Sequence, residues 1–163
     1  LPTRAKPVQD TPTPSPNGVA GIVCARLHEL TGEARWRERG EALIRAFAGR
    51  PGDLGIHTAA YLLAADWQLN AATHLVVVGD AGDATATAMH EAALSCFVPR
   101  RIVWRLIPGQ VGGRPLPATL AAMVEIGRGA RGYACSGTSC SAPATDPESW
   151  HATLTALPAV VPM

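Results

Sequence analysis

The sequence predicts a mixed α/β fold, in which three helices come first and a small three-stranded parallel sheet with its own helices follows. Apolar residues repeat at helical spacing up to about residue 70, and short apolar runs alternate with helical patterns after it. Strands that alternate with helices form parallel sheets with right-handed crossovers. We therefore expect a proline-rich lead-in over residues 1–16, a helical segment over 17–72 and an α/β unit over 73–163.

The helical segment divides into three helices. Five prolines and a lack of periodicity predict an extended lead-in. The first helix then starts near Asn17, capped by Ser15 or Asn17, and ends at Thr31–Gly32. Its apolar stripe is Val19, Ile22, Val23, Leu27 and Leu30. A second helix bears the stripe of Trp36, Leu43, Ile44 and Phe47. The third, over about 56–70, is apolar around most of its circumference, which predicts burial on more than one side.

The α/β unit begins with "HLVVVGD", an apolar run that favours a buried parallel strand. Asp83 can cap the helix that follows, and "RIVWRL" predicts a second strand. A weak helix over about 117–126 leads to a third strand, "ARGYAC". Asp146 then begins the last helix, in which Pro147 occupies the first turn and Trp150 faces inward.

The composition of the 163 residues bounds the possible partners. An apolar fraction of 47% with 17% charged residues is typical of globular proteins. The net charge of +1 gives no reason to expect nucleic acid or an anionic membrane as partner. No apolar run reaches the roughly 18 residues of a membrane span, and no signal peptide is recognised. We expect a cytoplasmic protein that binds no cofactor. Because Leu1 is not an initiator methionine, we also expect the chain to be part of a longer protein.

Three stretches in this order resemble a known family: "TPSPNGVAGIVCARLHELTGEARWRERGEALIRAFAG", "YLLAADWQL" with "LVVVGD", and "YACSGTSCSAPATDPE". They are similar to the C-terminal region of the spermatogenesis-associated, thioredoxin-domain-containing proteins, from about Pro12 to about Leu157. One departure is Pro16, where related sequences tend to have glycine. The resemblance implies a parent protein with a thioredoxin-like domain and an (α/α)6 barrel similar to that of N-acylglucosamine 2-epimerase. The first three helices would complete that barrel.

Cys135 and Cys140 are the first candidate site. Redox dithiols usually have two residues between the cysteines at a helix N-terminus, whereas four intervene here. A zinc site would need two further ligands, and His151 is the one histidine nearby in sequence. A disulfide is sterically possible, although a cytoplasmic setting argues against a permanent one. The residues favour a structural loop with free thiols, and a labile disulfide and a metal site remain as alternatives.

The stretch "VVVGDAGD" is the second candidate, because a glycine turn between a strand and a helix can hold a phosphate. The three-glycine spacing of dinucleotide-binding folds is missing, however, and Asp80 and Asp83 would repel a phosphate. The pattern therefore favours a tight turn with Asp83 as helix cap.

The helices supply a third candidate, a sugar-binding cavity that His57, Tyr61 and Asp66 would line. Trp36 and Trp67 are the aromatic candidates for the same wall, although aromatic residues at helical spacing more often belong to a core. Proton transfer in an epimerase-like reaction would favour histidine, and glycosidase chemistry would need two carboxylates.

These observations favour a non-catalytic structural segment of a thioredoxin-domain-containing protein, with no activity expected from this chain alone. A thiol-redox role of Cys135 and Cys140 and a part in a carbohydrate-binding barrel are the alternatives. The expected partner is the remainder of the parent protein. Helices cut from a barrel leave an apolar face uncovered, so we also expect self-association.

Overall fold

A computed structural model describes residues 6–111 and 116–157. The chain forms two compact units, Leu1–Asn70 and Ala71–Met163. The first five residues of the predicted lead-in, and residues 112–115 of the glycine- and proline-rich loop after the second strand, lie outside the described residues.

The first unit is helical. Its elements are α1 (Pro16–Thr31), α2 (Ala34–Phe47), α3 (Pro51–Leu54), a 3-10 turn (Gly55–Thr58) and α4 (Ala59–Leu69). The Ser15 hydroxyl caps α1 by accepting a hydrogen bond from the Gly18 N–H, at 3.2 Å. Gly32 ends the helix in the left-handed region, with φ of 70°, and donates its N–H to the His28 carbonyl. The predicted cap and stop of the first helix are therefore confirmed.

Small residues, rather than the predicted apolar stripe, form the buried face of α1. Gly18, Gly21 and Ala25 are its buried residues, and a Cβ atom added to Gly18 or Gly21 would lie 2.7 or 2.8 Å from the Cβ of Ala60 or Ala64 on α4. Contact this close leaves the larger side chains outside. The exposed fraction is 43% for Val19 and 47% for Val23.

The expectation that the third helix is buried on more than one side is wrong for its leucines. In α4, Ala60, Tyr61 and Ala64 are buried, whereas half or more of the Leu62 and Leu63 side chains is exposed. Small side chains let α1 and α4 pack closely along one narrow face. The larger apolar side chains on either side of that face remain exposed.

Asp10 ties the segment before α1 to the helices. Its carboxylate accepts hydrogen bonds from the backbone N–H of Ser15 at 2.6 Å and of Ala60 at 2.8 Å, and its own N–H donates to the His57 carbonyl at 2.7 Å. Nearby Val8 is buried. Residues 6–15 of the lead-in are thus non-helical, as predicted, whereas Pro16 already begins α1, and the segment is fastened to the N-terminal ends of both α1 and α4.

The second unit contains a four-stranded mixed sheet. Its strands are β1 (Thr73–Val78), β2 (Arg101–Leu106), β3 (Arg131–Ser136) and β4 (Ser139–Cys140), and its helices are α5 (Ala84–Ser95), α6 (Pro108–Val111), α7 (Ala118–Glu125) and α8 (Pro147–Thr155). The strand order is β2-β1-β3-β4. β1 is parallel to β2 and antiparallel to β3, which is antiparallel to β4.

The prediction of a three-stranded parallel sheet is therefore wrong in strand number and in the direction of β3. The lengths of the connecting helices give a physical reason. The 12 residues of α5 span about 18 Å, nearly the length of a six-residue strand, which is roughly 20 Å. This helix therefore carries the chain back to the end of the sheet at which β1 starts, and β2 begins there, parallel to β1. The eight residues of α7 rise only about 12 Å. The chain enters β3 opposite the end of β1, where Arg131 pairs with Val78.

Two apolar layers cover the sheet. One face packs against α5 and α8, through residues that include Leu75, Val77, Met89 and Trp150. The other packs against α7, through Val76, Val78, Leu106, Leu120, Met123 and Tyr133. The predicted caps are confirmed, because the Asp83 carboxylate accepts from the Ala86 N–H at 3.0 Å and that of Asp146 from the Ser149 N–H at 2.8 Å.

The fully buried Trp150 joins α8 to the sheet. Its indole N–H donates to the Met89 carbonyl on α5 at 2.8 Å. Its ring lies against Gly132 of β3, where an added Cβ atom would be 2.6 Å from Trp150 Cε3 and 2.8 Å from Met89 Cε. Glycine at position 132 therefore makes room for the largest side chain of this core.

We expect Gly132→Ala to lower the free energy of unfolding of the second unit by about 1–3 kcal/mol, since the rigid indole has to shift to admit the new methyl group. Urea denaturation followed by circular dichroism measures the change. Gly82→Ala is the matched control, because no atom lies within 4 Å of its added Cβ. An equal effect of the two substitutions would contradict this packing.

The Asp10 hydrogen bonds predict a pH dependence for the first unit. The backbone N–H groups of Ala60 and Ser15 lower the pKa of Asp10 in the folded chain. A lowered pKa contributes stability above the unfolded-state value, and the contribution is lost as the pH falls below about 4.

We therefore expect Asp10→Asn to destabilise the first unit near pH 7, and the difference from the wild type to shrink near pH 3. Urea midpoints at about these two pH values, monitored by circular dichroism, measure both effects. A difference that does not change with pH would show that the carboxylate charge has no role.

Candidate functional site

The candidate site is the hairpin that β3 and β4 form, with a two-residue turn between Ser136 and Ser139. Gly137 in that turn has φ of 58°, a left-handed conformation that favours glycine. The short turn places Cys135 directly opposite Cys140, with 4.0 Å between their Cα atoms, and a disulfide joins them. The predicted loop with free thiols is thus wrong. The turn sets the register that makes the two cysteines cross-strand partners.

The disulfide lies at an edge of the sheet. Cys140 belongs to the edge strand β4 and is exposed, whereas Cys135 is half-buried and packs against the layer that contains Val76 and Tyr133. The Ser141 hydroxyl accepts from the Ala134 N–H at 3.1 Å and continues the pairing past the disulfide. A shallow pocket of about 290 Å³ adjoins the pair, lined by Thr73, Ala134, Cys135, Ser136, Ser139, Cys140, Ser141 and Leu157.

His74 is a neighbour of this disulfide that the sequence analysis missed. Strand pairing sets it directly opposite Cys135, on the same face of the sheet. The Trp104 indole N–H donates to His74 Nδ1 at 3.0 Å, and the two rings stack with centroids 6.3 Å apart. No sequence signal links a histidine in β1 to a cysteine in β3, because the register appears only once the strands have paired.

The second candidate, the turn after β1, is occupied by contacts within the protein. Asp83 caps α5, and the Arg105 guanidinium donates to the carbonyls of Gly79 at 2.8 Å and of Asp80 at 2.9 Å. A Cβ atom at Gly79 would lie 2.6 Å from the Cβ of Ala86. The interpretation as a tight structural turn is supported by each of these contacts.

The third candidate set is spread over the 3-10 turn, the length of α4 and, for Trp36, the first turn of α2. His57 is exposed in the 3-10 turn. Tyr61 is buried, its hydroxyl donates to the Ile44 carbonyl at 2.8 Å, and burial raises its pKa. In the last turn of α4, the Asp66 carboxylate accepts from the Asn70 amide at 2.8 Å. A cavity role for these residues stays a prediction.

The two tryptophans of the same helices, Trp36 and Trp67, contact arginine side chains. The guanidinium groups of Arg35 and Arg39 lie 4.9 and 5.2 Å from the Trp36 ring centroid, and that of Arg26 lies 5.8 Å from the Trp67 ring.

Within residues 6–111 and 116–157, no group of three or more histidine, cysteine or acidic side chains is arranged to hold a metal ion. Over the same residues, every helix is too short or too polar to cross a membrane.

The structure defines a class: a helical unit followed by a small mixed α/β unit with a disulfide-bonded edge hairpin. The chain is 28% identical over 149 residues to spermatogenesis-associated protein 20 of Homo sapiens, and equally to the proteins of that name from Rattus norvegicus and Mus musculus. These matches confirm the predicted resemblance to the spermatogenesis-associated proteins. No family model and no solved structure matches it.

The match covers 90% of this chain but 19% of each relative, so the chain spans about a fifth of the length of the curated relatives it matches. The matched region therefore corresponds to one segment of those larger relatives.

Proposed function

We propose that the chain is a structural segment of a larger protein, and that its edge hairpin is a reversible thiol–disulfide site formed by Cys135 and Cys140. The observation that carries this proposal is the disulfide across an exposed edge hairpin, with Cys140 open to solvent. An exposed disulfide is accessible to an incoming thiolate, whereas a buried structural one is not.

The reaction is dithiol–disulfide exchange. A thiolate of an external dithiol attacks one sulfur, a mixed disulfide forms, and the other cysteine leaves as a thiolate. The second thiol of the reductant, once deprotonated, then attacks the mixed disulfide and releases the second cysteine. The protein disulfide gains two electrons and two protons, which the dithiol loses as it becomes a disulfide. The thioredoxin-like domain that the family resemblance implies would supply such a dithiol in the parent protein.

A reversible role requires that the hairpin survive reduction. The two cysteines are only five positions apart, and closing so short a loop removes little entropy from the unfolded chain. The disulfide therefore contributes at most about 2 kcal/mol to the stability of the unit. Neither cysteine is among the buried residues of the two layers, although Cys135 packs against the layer of Val76 and Tyr133.

A cytoplasmic setting, which we retain as part of the proposal, agrees with reversibility. Glutathione and thioredoxins keep most cytoplasmic thiols reduced, so a disulfide there is usually transient. In such a compartment the pair would cycle between dithiol and disulfide rather than serve as a permanent crosslink.

The partner in this proposal is the remainder of the larger protein. Leu62 and Leu63 on α4 are exposed, as are Val19 and Val23 on α1, and neighbouring apolar side chains left uncovered are typical of an interaction surface. Some four fifths of each relative lies outside the matched segment, which supplies enough protein to cover these residues. An α/α barrel that the helices complete is the form of this partner that we favour.

The alternative function is that the chain forms part of the wall of a carbohydrate-binding barrel. Tyr61 and Asp66 already bond to groups within the first unit, which gives the alternative less support than the hairpin has.

The redox proposal predicts which thiols react. Alkylation of the unfolded, unreduced chain should modify Cys24 and Cys96 only, and prior reduction should add Cys135 and Cys140, as intact mass and peptide mapping would show. In graded mixtures of reduced and oxidised dithiothreitol, the pair should convert reversibly while the chain stays folded.

The double variant Cys24→Ser/Cys96→Ser serves as control and should show the same transition, because neither residue belongs to the pair. Four alkylated cysteines after mild oxidation would overturn the proposal, and so would reduction that occurs only when the second unit unfolds.

The partner proposal predicts weak self-association of the isolated chain, since nothing else is present to cover the exposed leucine pair. Sedimentation velocity should show an average mass that rises with protein concentration. Leu62→Glu/Leu63→Glu should abolish the rise, and Leu94→Glu, at a similarly exposed leucine of the second unit, should leave it intact. A wild-type chain that stays monomeric throughout would contradict an uncovered docking surface.

A further inference from the structure

We infer that the position of the hairpin in the sheet gives its two cysteines different roles: Cys140 is the sulfur that exchanges with an external thiol, and Cys135 is the resolving cysteine. This inference rests on the proposed thiol–disulfide function and deepens it, because it states on which sulfur the mixed disulfide forms. The external partner then approaches the sheet at its β4 edge.

The order of the strands puts the two sulfurs in different surroundings. Cys140 lies on β4, which ends the sheet, whereas Cys135 lies on β3, between β4 and β1. Cys140 is exposed, and Cys135 is half-buried and packs against the apolar layer that contains Val76 and Tyr133. An external thiol therefore has open access to the disulfide from the β4 side.

The geometry of the displacement strengthens this difference in access. Exchange rates depend on which sulfur is attacked and on how accessible it is. Because the incoming, attacked and departing sulfurs align in this reaction, the attacking thiolate has to come from behind the S–S bond. Behind Cys140 is the edge of the sheet, whereas behind Cys135 are β3 itself and the apolar layer. Attack on Cys140 therefore requires no movement of that layer.

Reduction and oxidation use the same two roles in opposite order. In reduction, an external thiolate bonds to the Cys140 sulfur, and Cys135 leaves with the electron pair of the S–S bond. In oxidation, the Cys140 thiolate bonds to one sulfur of an external disulfide and expels the other half as a thiolate. The Cys135 thiolate then attacks the Cys140 sulfur and expels the second half. The external disulfide gains the two electrons that the protein dithiol loses.

Backbone hydrogen bonds beside the disulfide hold the strand of the attacked cysteine against β3. The Ser141 N–H donates to the Ala134 carbonyl at 2.8 Å, and Gly132 and Ala144 exchange two hydrogen bonds of 2.8 and 2.9 Å. Ala144 is also buried. These contacts involve neither sulfur, so we expect them to persist in the dithiol and to keep the resolving thiol beside the mixed disulfide.

Reaction of the reduced, folded chain with oxidised glutathione tests the two roles. Cys24→Ser and Cys96→Ser remove the other thiols, and each hairpin cysteine is then replaced by serine in turn. We expect Cys140 in Cys135→Ser to form the glutathione adduct about tenfold faster than Cys135 does in Cys140→Ser, because access limits the second reaction. Intact mass of acid-quenched samples measures both rates, and circular dichroism checks that each variant is folded.

The same two variants in urea supply the matched control. Unfolding exposes both cysteines, so the two rates should become nearly equal. With both hairpin cysteines present in the folded chain, the adduct should give way to the protein disulfide, because Cys135 displaces the glutathione.

The reductive direction gives a measurement that needs no substitution in the hairpin. The oxidised chain is mixed with reduced glutathione and quenched in acid, and peptide mapping should find the adduct on Cys140. This mapping decides the assignment even if a serine variant does not fold.

The outcomes separate this inference from the function on which it rests. An adduct found mainly on Cys135, or equal rates in the two folded variants, would overturn the inference and leave the reversible disulfide in place. If no disulfide forms between the two cysteines under mild oxidation, the proposed function itself fails.

Discussion

The α/β unit depends on β1 being paired along both edges. β2 lies parallel on one side and β3 antiparallel on the other, and Leu75, Val76, Val77 and Val78 between them are fully buried. Because side chains alternate across a strand, these residues supply both apolar layers at once. The same pairing sets His74, at the more exposed end of β1, opposite Cys135. A one-residue slip of β3 would turn Cys135 to the other face and separate it from His74.

The helical unit depends on a different constraint, the close approach of α1 and α4 at glycine and alanine. Gly18 and Gly21 admit Ala60 and Ala64 so closely that a methyl group at either glycine would overlap its neighbour. Asp10 adds a polar link, because one carboxylate satisfies N–H groups at the starts of both helices. Such packing buries little apolar area per residue, which explains why the larger side chains of α1 and α4 stay exposed.

Local chemistry made several elements predictable from the sequence. Ser15, Asp83 and Asp146 cap helices as predicted, since a cap needs only a side-chain oxygen and the next few N–H groups. Gly32 stops α1 for a similarly local reason.

Features set by pairing between distant segments were not predictable in the same way. An apolar run such as "RGYAC" has the same pattern in either direction, so the sequence could not reveal that β3 runs antiparallel. The predicted apolar stripe of α1 is wrong because hydrophobicity alone does not distinguish a helix contact made by glycines from one made by large apolar side chains. The disulfide depends on a two-residue turn at Gly137, where the sequence predicts only a loop, and the position of His74 opposite Cys135 depends on the register of β3.

The edge position of the hairpin has a consequence for its stability and its chemistry alike. An edge strand exposes unpaired N–H and C=O groups and invites pairing with other chains, and proteins limit this by keeping such strands short. β4 has only two residues, and a polar serine-rich stretch surrounds it. A strand this short gains little from backbone pairing, so the covalent link adds a comparatively large share of what holds it in register. Its removal would affect the hairpin far more than the layers around β1, because the buried clusters of Trp150 and the valines include neither cysteine. The reversible bond that we propose at this place would therefore open without removing a residue from either buried cluster.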